Sequence, residues 1–387
     1  MSLSSITRIN DMRAESEFRA TSFSNFKMTD VRKQFLSSVH AGKIEPACYW
    51  CAEMICSGHL GDIWELLIQY MAKYIHLANP KLAIYLDMRF NVFRNIATSQ
   101  LTDKELDLRN NEKIRKLFAE VVCTLALSNK KPSLEPMKIN RASEFDMTRL
   151  SERLKAPSMD FAKAVFKPKD PKELFIAVNE FSFHSSPQSR DMSRACYWIE
   201  WAMEFEQICK SRKESCVCER RSQHSIEKKY SRDVIWLFWD VMLQHAASGE
   251  QHPLVEKTMH SLLRLFCVKY TTAACKRRRH LLYYAVGLLT EPLVSMNVDM
   301  MPDRELLETV VHQIDHVYRQ IKKNEVAPKT DYLFQNVGGS PHVSTERILQ
   351  QLEMMNHVDQ FGERGLERQT NNTKSSTENI SLEKIEL

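Results

Sequence analysis

Ala47-Cys48-Tyr49-Trp50 and Ala195-Cys196-Tyr197-Trp198 are the same four residues in the same order, and three of the four are uncommon types. Their surroundings repeat as well. Upstream, Phe35-Leu36-Ser37-Ser38-Val39-His40 parallels Leu174-Phe175-Ile176-Ala177-Val178-Asn179. Downstream, Asp62-Ile63-Trp64 parallels Val234-Ile235-Trp236, and the stretch 115–122 parallels 279–286. Four blocks in one order predict two copies of one unit, an internal duplication with insertions.

Apolar spacing within the first copy is helical. Tyr49, Trp50 and Met54, then Ile63, Leu66, Leu67, Tyr70, Met71 and Tyr74, follow the three-and-four rule. Ser57-Gly58-His59-Leu60-Gly61-Asp62 reads as a helix stop followed by an Asp cap, so 47–56 and 63–76 form a helical hairpin. Asn79-Pro80 marks the next boundary, and helices over 82–96 and 112–127 complete the unit. No segment alternates at period two over a useful length. The expected fold class is all-α, consisting of two related helical units, C-terminal helices and disordered termini.

Domain boundaries follow from composition. Residues 1–28 read as a flexible arm, 31–131 as helical unit 1, and 132–171, punctuated by five prolines, as an irregular linker carrying short helices. Unit 2 spans 172–292 and holds a charged, Cys-rich insertion at 209–232. C-terminal helices are expected over 303–358, at 303–323 with Leu306, Leu307, Val310, Ile314, Val317 and Ile321 on one face, and at 344–356. The Asn-, Ser- and Glu-rich stretch 359–387 reads as a disordered tail.

Composition narrows the function classes. Only 9 glycines in 387 residues argue against phosphate-cradling loops and dinucleotide folds, which need Gly at fixed places. There is no Gly-x-x-x-x-Gly-Lys-Ser/Thr and no His-Glu-x-x-His, so nothing anchors an enzyme reading. The opening residues lack the apolar run of a signal peptide, and no run of about 18 apolar residues occurs. Ten Cys in such a chain read as reduced thiols of an intracellular protein with no membrane span.

Two constellations carry possible chemistry. Cys209-x6-Cys216-x-Cys218-x5-His224 offers three thiols and an imidazole, a ligand set that suits zinc, although a one-residue gap between thiols is not a standard spacing. The alternative is a charged surface insertion with incidental cysteines. Lys276-Arg277-Arg278-Arg279 precedes an apolar helix, where cations oppose the helix dipole, so four in a row suggest phosphate contact, with a solvated connector as the alternative. Arg220-Arg221 and Lys228-Lys229 add charge in the insertion. Cys48-x-x-Cys51 has redox spacing, but it lies in an apolar helix whose second copy has Ile199 in place of the latter Cys. The repeated Tyr and Trp residues read as core.

Unit 1 carries a resemblance. Ala47, Tyr49, Trp50, Ala52, Met54 and Gly58, then Ile75, Leu77, Ala78, Asn79, Pro80 and Leu82, and more loosely Glu120 with Leu125-Ala126-Leu127, resemble the C-terminal helical collar of clamp-loader-type AAA+ proteins of the replication-associated recombination family. The similarity covers about residues 34–131. Unit 2 keeps Ala195, Tyr197 and Trp198 but has only Gln251-His252-Pro253 where the family has its Asn-Pro element. Walker motifs and an arginine finger are absent from the sequence. The resemblance therefore implies a collar-like assembly unit and no ATPase. It implies a non-enzymatic DNA replication or repair accessory factor, with replication clamp or clamp-loader subunits as partners, DNA bound without sequence preference, and an oligomeric state. The whole chain is also similar to uncharacterised helical proteins of large DNA viruses, a similarity that implies no named function. The alternative to the accessory factor is a structural or virion-associated scaffold in which the same helices simply pack.

Overall fold

The computed structural model describes residues 7–99, 105–145, 151–221, 226–248, 252–293, 299–301 and 303–326. The helix expected at 344–356, the tail at 359–387 and His224 lie outside the described residues. Those described are helical, with no strand beyond an isolated antiparallel bridge between Thr21 and Lys27. The all-α expectation holds.

Unit 1 contains α1 (Met28–His40), α2 (Ile44–Cys56), α3 (Leu60–Tyr70), α4 (Leu82–Ser99), the short α5 (Glu105–Arg109) and α6 (Glu112–Leu127). Gly58 has φ of 82° and ends α2, as the left-handed region favours glycine there. The next helix starts earlier than its sequence suggests: His59 sits at its N-cap, and Asp62 lies in its first turn. α3 then loosens into a π-helical turn, Met71–Ile75, and a 3-10 turn, His76–Ala78. Asn111 caps α6 by accepting the Ile114 amide at 3.1 Å.

After a short helix α7 (Arg141–Glu144), unit 2 contains α8 (Leu174–Ser185), α9 (Met192–Ser211), α10 (Ile235–Ala247), α11 (Pro253–Cys267), α12 (Thr272–Arg277) and α13 (Arg279–Thr290). Some packing partners correspond between the units, but α10 packs on α8, α11 and α13 more closely than α3 does on α1, α4 and α6. α1 lies along α2 as α8 lies along α9; α2 meets α6 as α9 meets α13; α4 meets α6 as α11 meets α13. The units join through α4 and α11. Trp64 of α3 and Trp236 of α10 are both fully buried. Trp64 meets Phe90 edge-on at 5.2 Å, and Trp236 meets Phe266 at 5.9 Å. α14 (Arg304–Lys322), capped by Asp303, lies back across α6 and α2 and buries Ile314, Tyr318 and Ile321. Leu306, Leu307, Val310 and Val317 stay half-buried.

Two expectations need correction. The arm is fastened from Thr7 onward. Ile9, Phe18 and Phe23 are fully buried, Ser22 Oγ donates to Glu53 at 2.6 Å, and the Arg115 guanidinium donates to the Thr7 carbonyl at 3.2 Å. Its few apolar residues are widely spaced anchors, so no periodicity reveals them. Trp50 is not core either. It is half-buried beside Phe26, whereas Trp198 is 1% exposed.

Candidate functional site

The cationic turn owes its sequence to a helix end. Lys276 and Arg277 occupy the last turn of α12, where cations favour the carbonyl end of the helix dipole, and Arg279 opens α13. Only Lys276 and Arg277 are exposed. Arg278 is 3% exposed. It donates through Nε to Glu65 at 3.1 Å and through Nη1 to the Phe266 carbonyl at 2.8 Å, joining unit 2 to α3 of unit 1. Burial raises the Glu65 pKa, but the Arg278 guanidinium outweighs it and leaves the carboxyl below its ordinary range. Arg279 donates to Glu200 at 3.1 Å, and Tyr283 donates to the same carboxylate. The expected four-cation edge is thus an exposed pair beside two structural arginines.

The insertion is organised by an arginine that its sequence presents as surface charge. Arg221 has a side chain only 1% exposed. It spans Asp170 of the linker, at 2.8 and 2.9 Å, and Asp240 of α10, at 2.8 Å, and donates to the Val165 carbonyl. Three surfaces that share little sequence proximity are held by one guanidinium fork. The Arg220-Arg221 pair is therefore split, with Arg220 exposed.

Around that anchor, Cys209 is buried at the end of α9, Cys216 is half-buried, and Cys218 is 1% exposed in the core with its amide donating to the Arg232 carbonyl. Cys209 and Cys216 interact through their side chains. Among the described residues no group of three or more His, Cys, Asp or Glu side chains is arranged to hold a metal. Burial pushes the Cys216 thiol up to about 12, so the uncharged form is held. Cys48 and Cys51 are buried, and burial raises the Cys48 thiol to about 12, which suits packing more than redox exchange.

A cleft of about 610 Å³ lies between α8, α9 and α7. Its inner wall is an aromatic trio. Trp201 stacks on Phe205 with centroids 5.4 Å apart and planes 5° apart, and Phe145 meets Trp201 at 4.8 Å. The Trp201 indole donates to the Glu144 carbonyl at 3.1 Å, and Glu144 also accepts from Tyr197 at 2.6 Å, so the linker is pinned over the repeated Tyr-Trp helix. The sequence signal for this surface is Trp201, Phe205 and Ile208 at helical spacing. Such a stripe alone does not distinguish a covered core from a groove wall.

No protein family, no curated protein and no solved structure matches the chain. Among the described residues no helix is long and apolar enough to cross a membrane.

Proposed function

We propose that the chain is a non-enzymatic accessory factor of DNA replication or repair, built from two duplicated, collar-like helical units that bind protein partners. The observation that carries the reading is the shared packing of the units. α1 with α2, α2 with α6 and α4 with α6 pair as α8 with α9, α9 with α13 and α11 with α13 do, which supports reading the two Ala-Cys-Tyr-Trp helices as equivalent. Of the residues that carry the resemblance, Gly58 ends α2, and Asn79 donates through Nδ2 to the Met300 carbonyl at 3.0 Å, beyond unit 2.

Buried charge supports an assembly role. Arg278 with Glu65, Arg221 with Asp170 and Asp240, and Asp87 with Arg264 each tie one element to another. Such groups fix helices in place, and a rigid surface suits docking of other proteins. One finding favours a second reading, a structural or virion-associated scaffold: Arg278 and Arg279 are used internally, which shrinks the cationic edge available to DNA.

Capture of replication clamp or clamp-loader subunits by the immobilised full chain, and fluorescence anisotropy with duplex DNA at low salt, separate the two. The accessory reading expects capture, together with a weak, salt-sensitive DNA affinity that the double substitution Lys276→Glu with Arg277→Glu lowers. If neither capture nor DNA binding occurs at low salt, the scaffold reading replaces it.

A further inference from the structure

We propose that the cleft between α8 and α9 receives an acidic, amphipathic helical segment of a partner protein. The inference rests on the reading of the chain as a protein-binding module and names the surface and the chemistry it takes. The cleft volume falls within the range of about 300–1,000 Å³ usual for ligand sites. Ile176 of α8 and Phe205 of α9 are half-buried on its walls, with Ile208 beside them and Trp201 closing the bottom. A groove between two helices, walled by apolar side chains, takes the apolar face of a third helix.

Charge selects the sign of that partner. Lys172 and Arg212 line the cleft and are exposed, and Arg141 lies on the same rim with a side chain 58% exposed. Glu173 on the rim, and the Glu204 partner of Arg141, offset part of this charge, leaving a cationic excess. Carboxylates flanking an apolar stripe complement it, and rim charges of this kind chiefly set encounter rate and orientation. Nucleic acid fits less well. Trp201 is 4% exposed and covered by Phe205 and Phe145, so no indole face is open to a base.

The probe is a fluorescein-labelled synthetic helix with Leu at three-and-four spacing and Glu between, compared with the same helix carrying Lys for Glu. Anisotropy with the full-length protein should show binding of the Glu peptide and not the Lys peptide. Lys172→Glu with Arg212→Glu, both at exposed positions, should weaken it about tenfold at low salt. Ile176→Asp should abolish it, with thermal melting confirming that both variants remain folded. No uptake by the wild-type chain overturns the proposal, whether the groove is closed by the chain itself or unused. Equal uptake of the Lys peptide, or displacement by a single-stranded oligonucleotide, overturns it too. Failed peptide binding with retained capture of replication proteins sinks the cleft alone; failure of both removes the protein-binding reading as well.

Discussion

Arg278, buried, and Glu65, half-buried, are 213 positions apart and form a two-toothed ion pair at the junction of the two helical units. The guanidinium also satisfies the Phe266 and Val268 carbonyls at the end of α11, so a single side chain closes that helix and holds the neighbouring unit. Its neighbour Arg277 is exposed.

Removing Arg278 leaves a half-buried carboxylate and two carbonyls without their donor, at a cost of about 2–3 kcal/mol. Arg278→Ala should therefore destabilise the protein by roughly that amount, measured by urea unfolding. Arg277→Ala, at an exposed position, should stay within about 0.5 kcal/mol of wild type. Equal effects from the two substitutions would remove the structural role of Arg278. A charge reversal of all four cations would confound unfolding with lost binding, so only Lys276 and Arg277 serve as binding probes.

The two repeated tryptophans should likewise part company. Trp198 is 1% exposed and packs against Trp201 at 5.9 Å, so Trp198→Ala should cost about 3–5 kcal/mol. Trp50 is half-buried at the rim beside Phe26, and its truncation should cost clearly less. Denaturant midpoints of the two variants check this; a larger loss at Trp50 would contradict the packing.

Helix periodicity made the helical core legible, because α6 and α14 keep apolar residues on one face and carry Asn or Asp caps where their sequences place them. What the sequence hides is pairing over long separations. Nothing near Arg221 signals that Asp170 and Asp240 will close around it, and runs of like charge give the same pattern whether solvated or divided between surface and core. The four-cation run has a local cause: Thr271 caps α12 by accepting the Ala274 amide, making Lys276 and Arg277 a helix C-terminus and not a helix start. The arm has no legible pattern because Phe18 and Phe23 are isolated anchors. Phe18 is held beneath the Arg13 guanidinium at 4.5 Å, a contact visible only in three dimensions.

The thiols of the insertion give a third test. Of the ten free cysteines only Cys216 and Cys267 are half-buried, and the others are buried. Under native conditions an alkylating reagent should label those two first, and slowly, because burial pushes both thiols up to about 12. Elemental analysis of the purified protein decides the zinc question directly. Stoichiometric zinc that is lost in a Cys216→Ser, Cys218→Ser double variant would establish Cys209, Cys216 and Cys218, with His224, as ligands. Metal-free protein that is stable to chelator would establish them as packing residues.

Acid sensitivity is the last expectation, and it arises at the junction of the units. His76 follows the π-helical turn with φ of 50° and packs its ring on Tyr284 of α13 at 5.0 Å. A side chain at Gly287 would collide there, since an added Cβ would lie 3.0 Å from the His76 ring. Burial lowers the His76 pKa to about 4, opposed by the Tyr283 backbone and helped by Lys131 and His280. Burial likewise lowers His280 to about 4, helped by Lys73 and Arg279 and opposed by Glu135. Unfolded, both imidazoles titrate near 6.5, so between that value and about 4 the unfolded chain binds more protons than the folded one. Their contribution is fully present above about pH 7 and is lost as pH falls toward 4. His59 works in the opposite sense. Burial lowers its pKa, but Glu15, the Phe18 carbonyl and Asp62 raise it overall, so its contribution is lost as pH rises. Among these histidines the two large downward shifts outweigh the upward one. The lowered carboxyls of Glu65, Asp170 and Glu180 act in the same direction, while the raised Glu200, Glu206 and Asp233 oppose it. Urea midpoints should therefore fall steadily from pH 7 to pH 4.5, and His76→Asn, which tolerates the left-handed backbone, should flatten that decline. A midpoint that stays level over this window would mean that the two imidazoles are not held neutral at the junction.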